Sequence, residues 1–181
     1  MIRLTLWGIG GLLLGGIIHL VAILILPSLA EDDAWTRVAA LEANERFSLL
    51  DRPVPGAPNP LGLDPSFIEA VCQLNIAEGP GALEGVLPDS FWSLAVYEPD
   101  GSVIYSTTER SASDNFLNVG IFNRDQTRLL AQQEIEIDEG LLIVEAAGND
   151  VAAVVRLWLE YDALAPRYEQ ALSALTCRVV R

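Results

Sequence analysis

Between Arg3 and Glu31 the chain carries no charged side chain. Leu4 to Leu26 is one apolar run. As a helix rising ~1.5 Å per residue it is about 34 Å long, enough to cross a hydrocarbon core of ~30 Å. Such a run has two outlets, a membrane span or a cleaved export signal. Ser28-Leu29-Ala30 resembles a small-residue cleavage site. The run is nevertheless longer than the roughly 7–15 residues of an ordinary signal core. The expectation is therefore a retained anchor over residues 1–30. Arg3 lies before the run, and Glu31, Asp32 and Asp33 lie after it. The positive-inside rule then places the N-terminus in the cytoplasm and the remainder outside it. The lipid bilayer is the first expected partner.

One side of this helix is made of small residues. At ~100° per residue, Gly8, Gly11, Gly15, His19 and Ala22 fall within an arc of about 80°. A small-residue stripe lets a second helix approach closely, because lipid supplies no hydrophobic drive for association. His19 sits near mid-membrane, where an imidazole needs protein, water or a ligand beside it. Three readings stay open. His19 bonds a partner helix, or the helix is glycine-rich without consequence, or His19 holds a tetrapyrrole such as a pigment or haem.

Composition narrows the rest. The chain has 25 acidic and 11 basic residues, and every basic residue is an arginine. All acids and ten of the arginines follow residue 30, giving that part a formal charge of −15. Such a surface repels nucleic acid and anionic headgroups and can attract a basic partner. The lone histidine is in the apolar run, so the exported part has no imidazole and, without lysine, no amine base. Ser-His, Cys-His and Schiff-base chemistries are unavailable there. No phosphate loop or dinucleotide fingerprint is present, and no cofactor or metal set is expected. The paired acids Asp32/Asp33 and Glu134/Glu136/Asp138/Glu139 read as a membrane flank and a solvated face. Cys72 and Cys177 are the two cysteines, either one disulfide of an exported chain or two buried thiols.

The pass along the exported part predicts a juxtamembrane helix over 31–50, with Trp35, Val38 and Leu41 on its apolar side. Five prolines between 51 and 66 predict an extended linker. The domain proper then covers 67–181. Alternation from Glu69 predicts a half-buried strand. Further strands are expected over 82–87, 91–97, 102–107, 117–122, 140–146 and 151–159. Glu98-Pro99-Asp100-Gly101 reads as a hairpin loop. Asn123 with Gln126 reads as a capping box opening a short helix to about Gln133. Pro166 opens a final helix ending near Cys177. The fold class is α+β: a transmembrane helix followed by a mainly antiparallel, jelly-roll-like β-sandwich with two or three short helices. Phe91, Tyr97, Tyr105 and Arg110 are the candidate lining of a ligand pocket, although core packing explains aromatic residues more often.

Phe91–Arg110 reads FWSLAVYEPDGSVIYSTTER. With CQLNIAEGP from Cys72, the late Cys177, and the N-terminal LWGIGGLLLGGIIHL followed by EDDAW, it resembles short members of the bacterial domain-of-unknown-function family 1254. Asn75 and Thr108 depart from the residues usual in that pattern. The resemblance implies an inner-membrane protein with a periplasmic jelly-roll-like domain, and no particular activity. The functional expectation is a non-enzymatic accessory subunit that packs its helix and its domain against other inner-membrane proteins. The alternatives are a module binding an apolar or sugar-like small molecule, and a pigment- or haem-bearing helix.

Overall fold

The computed structural model describes residues 2–26, 34–111, 115–132 and 140–181. Helix α1 spans Ile2–Ile25, and every residue in it is exposed. The chain that follows forms an α+β sandwich of two sheets. Its strands are β1 (Ser48–Leu49), β2 (Phe67–Asn75), β3 (Gly81–Val86), β4 (Trp92–Tyr97), β5 (Val103–Thr108), β6 (Phe116–Asn123), β7 (Leu142–Ala146), β8 (Asp150–Trp158) and β9 (Thr176–Val179). Short helices α2 (Ala34–Ala39), α3 (Arg124–Gln132) and α4 (Ala165–Ser173) complete it.

One sheet has the order β1-β2-β8-β4-β5 and the other β7-β6-β3-β9. All pairings are antiparallel except β6 with β7, which run parallel. Alternation builds the space between the sheets. Ala70, Cys72, Trp92, Leu94, Ala153, Val155 and Leu157 point inward from the first sheet. Leu83, Leu117, Val119, Ile121, Val144 and Cys177 meet them from the second. All of these side chains are buried. Tyr168 and Leu172 of α4 close one part of this core, as their helical spacing requires. A disulfide joins Cys72 of β2 to Cys177 of β9, tying one sheet to the other across 105 residues. Three buried polar atoms lack a hydrogen-bond partner among the described residues: Trp92 Nε1, Thr107 Oγ1 and Glu109 Oε2.

Several local expectations meet their physical cause. In the capping box, the Asn123 N–H donates to Gln126 Oε1 and the Gln126 N–H to Asn123 Oδ1, both at 2.9 Å. The Glu98–Gly101 loop joins β4 to β5, with Gly101 at φ +83°.

Three expectations need correction. The helix expected over 31–50 is α2 alone among the described residues, Ala34–Ala39. Glu42 and Glu45 adopt positive φ, and the chain beyond them follows the edge of β2. There the Gln73 N–H donates to the Ala43 carbonyl at 2.8 Å, Glu45 N–H to Gln73 at 3.0 Å and Leu50 N–H to Glu69 at 2.9 Å. An unpaired buried strand edge costs more than a lost helical turn gains. Second, β2 is buried on both faces, with Glu69 and Gln73 covered as well. Third, Cys177 lies in a ninth strand, not at a helix end. That strand is recruited by β3, where Leu83 opposes Cys177.

Candidate functional site

The first sheet has a second apolar face, turned away from the sandwich core. Val71, Ala152 and Val154 form its floor, between the inward-pointing residues of β2 and β8. Trp35 and Val38 of α2 stand on one side. Leu61 and Leu63 from the proline-rich linker, with Leu50, stand beside them, and Tyr97, Glu98 and Gly101 lie at the hairpin end. Together they enclose an open groove of about 270 Å³. The linker is therefore more than a spacer, because it supplies part of a wall.

The walls are held by local hydrogen bonds. Arg37 Nη1 donates to the Pro60 carbonyl at 2.6 Å, joining α2 to the linker. Asn59 grips Leu63 twice: its Oδ1 accepts from the Leu63 N–H at 2.9 Å, and its Nδ2 donates to the Leu63 carbonyl at 2.8 Å. Asp64 Oδ1 accepts from the Ser66 N–H at 2.8 Å. Asp100 Oδ1 accepts from the Ser102 hydroxyl at 2.7 Å and from its N–H at 2.9 Å. These bonds favour the ionised forms and hold both carboxyls below their usual value. For Asp64 the main cause is the Ser66 backbone bond, and for Asp100 the Ser102 hydroxyl.

The two carboxylates at the groove are already engaged. Glu69 Oε1 accepts from Arg156 Nε at 3.1 Å, across the β2–β8 pair. The same guanidinium sits 4.6 Å from the centre of the Phe67 ring. Glu98 Oε1 accepts from the backbone N–H groups of Ala147 and Gly148 at 2.6 and 3.2 Å. The groove offers apolar contact, with its acidic groups satisfied by the protein.

The sequence-stated pocket residues do not come together. Tyr97 lines the groove. Phe91 is exposed and meets Phe67 edge-on, ring centres 6.4 Å apart. Tyr105 packs against the inter-sheet core. Arg110 is exposed on a short turn beside Glu109, 3.7 Å away. The inward side chains of the two sheets pack into one buried cluster, against which Tyr105 is partly buried. The residues that sequence reasoning passed over are Val71, Ala152, Val154, Leu61 and Leu63. A signal existed. Val71 is apolar where the alternation of β2 calls for a solvated residue, and β8 reads DVAAVVRLW, apolar on both faces. Strands buried on both sides read that way.

In α1 the glycines are open. A side-chain carbon built at Gly8, Gly11 or Gly15 would meet nothing within 4 Å. His19 and Ala22, on the same stripe, are exposed. Among the described residues no cluster of three or more His, Cys, Asp or Glu is placed to hold a metal ion. The acidic pairs at 32–33 and 134–139 lie outside the described residues.

No family model matches the chain, and no curated protein matches it. Solved structures do resemble it. The VPA0106 protein from Vibrio parahaemolyticus superposes with a TM-score of 0.53 at 13% identity, over 65% of this chain and 28% of its own. An uncharacterised protein from Burkholderia cenocepacia gives 0.51 at 13% identity, over 82% of this chain and 38% of its own. The chain thus spans about a third of the length of these neighbours. At that identity the likeness concerns the fold alone.

Proposed function

We propose that the protein is a non-enzymatic accessory subunit of a bacterial inner membrane, anchored by α1, with its sandwich domain on the periplasmic side. The observation that carries this reading is α1 itself: 24 residues with a mean hydropathy of 2.3 over their most apolar stretch and none of them covered. In water, so much exposed apolar surface would drive aggregation; in lipid it is at its lowest free energy. Arg3 ahead of the span and the acids after it favour an N-terminus in the cytoplasm. The Cys72–Cys177 disulfide fits an oxidising compartment. The resemblance to the domain-of-unknown-function family 1254 points the same way.

In this reading the Gly8, Gly11 and Gly15 stripe seats a helix of another membrane protein, and His19 donates to or accepts from it. Lipid offers His19 no partner, and a neighbouring helix does. The acidic domain then docks on a basic surface of the same complex. The test is Gly11→Leu combined with Gly15→Leu, followed by native co-purification from mild detergent. The expected result is loss of the native associations while the protein stays in the membrane fraction. Unchanged associations would remove the packing role. Release of the wild-type protein from membranes by carbonate, with a mass corresponding to cleavage after Ala30, would remove the anchor.

A further inference from the structure

We infer that the outer-face groove binds a single acyl chain of a neutral or zwitterionic phospholipid, drawn from the leaflet next to the domain. The inference rests on α1 being a membrane anchor. Four observations carry it. The first is size. The groove's volume, about 270 Å³, lies below the ~300–1,000 Å³ of pockets that take drug-sized ligands. That suits one segment of unbranched chain better than the wide body of a sterol or a tetrapyrrole.

The second is chemistry. The floor of Val71, Ala152 and Val154 and the walls of Val38, Leu61 and Leu63 are aliphatic. A sugar needs convergent, unsatisfied polar groups, and the two carboxylates at this site are taken up by Arg156 and by backbone N–H groups. A fatty acid anion is disfavoured by the formal charge of −15 carried after residue 30. An apolar tail with its headgroup left in solvent meets neither obstacle.

The third is position. Ala34, the start of α2, lies nine residues on from Ile25, the end of α1. At no more than ~3.6 Å per residue, the groove wall begins within about 32 Å of the end of the span. Trp35, on that wall, is the residue type that favours the membrane interface. The fourth is preorganisation. The bonds Arg37–Pro60, Asn59–Leu63 and Asp100–Ser102 fix α2, the linker and the hairpin loop that line the groove. Lining segments fixed by the protein's own hydrogen bonds lower the entropy cost of binding.

The experiment uses the full chain reconstituted into phosphatidylcholine vesicles that contain a fraction of phosphatidylcholine bearing a mid-chain diazirine. After flotation and irradiation, labelled peptides are identified by mass spectrometry. The expected result is co-flotation, with lipid adducts on the peptides holding Trp35, Val38, Leu61 and Leu63 as well as on α1. Val154→Trp fills the floor, and labelling of those peptides falls to background while labelling of α1 persists. Leu61→Trp, on the linker, repeats the test without touching the sheet, so a misfolded floor variant does not decide the matter. Failure to float defeats the anchor reading and the lipid source with it. Flotation with adducts on α1 alone defeats the groove proposal and leaves the anchor standing. Groove adducts unchanged in either folded variant, or groove cross-links to a protein instead of lipid, likewise defeat it.

Discussion

Val154 and Val155 are neighbours in β8, yet they serve opposite faces of one sheet. Val155 is fully buried between the sheets, where every surrounding atom belongs to the sandwich. Val154 is half-buried on the floor of the outer groove, under α2 and the linker. The inner face is closed by a second sheet and a disulfide. The outer face is roofed by short segments with little regular structure. Burial by a continuous sheet gives close packing, and burial by loops leaves a gap. The same alternating strand thus builds a structural core on one side and the floor of a groove on the other.

The comparison is broken most severely by emptying the closed side. Trp92→Ala should cost about 3–5 kcal/mol, because Trp92 is fully buried. Tyr97→Ala, one face over, should cost clearly less, read as the difference in urea midpoints. Equal losses would mean that the groove side is as tightly packed as the core.

Removing the covalent tie comes next. Cys72→Ser with Cys177→Ser should lower stability by about 2–5 kcal/mol, mainly by freeing the unfolded chain. The groove walls do not involve either cysteine, so lipid labelling should survive under conditions where the double variant is folded.

The sharpest form of the comparison is the adjacent pair. Val155→Thr places a hydroxyl in a dry core and should cost about 1–3 kcal/mol. Val154→Thr places the same group at a half-open surface and should stay within about 0.5 kcal/mol. A reversed order would show that the faces have been assigned the wrong way round.

The smallest effect is on the groove walls. Asp64 and Asp100 have lowered pKa values. Their contribution is present above the unfolded value of 3.8 and is lost as pH falls through the lower folded value. Acidification below pH 3.8 should therefore loosen both loops. Amide exchange at Ser66 and Ser102 should rise before global unfolding. Asp100→Asn, which keeps an acceptor but cannot ionise, should flatten that response at Ser102 alone.

Much of this could be read from residue order. The apolar run Leu4–Leu26, the hairpin loop at Pro99–Gly101, the Asn123 capping box and the helix opened at Pro166 are local devices. Each has its cause within a few residues, so one chain suffices to see it. β1 and β9 escaped that reading because they are short, two and four residues. Ser48–Leu49 is extended because the edge of β2 at Ala70 and Val71 pairs with it, and Thr176–Val179 is extended because β3 does the same. Those partners lie far away in sequence. The groove was half legible. Val71 and the doubly apolar β8 announced that something covers the outer face, but not that α2 and the linker would do it.

The amino-acid order by itself determined the long apolar helix, the sandwich class, the acidic surface and the turns. These depend on composition and on the spacing of neighbouring side chains. Only the tertiary structure decided which strands share a sheet, that Cys72 and Cys177 meet, and that Trp35, Leu61 and Val154 line one groove. Such meetings between distant residues are set by the total burial and hydrogen bonding of the folded chain, and no local window of the sequence contains that sum.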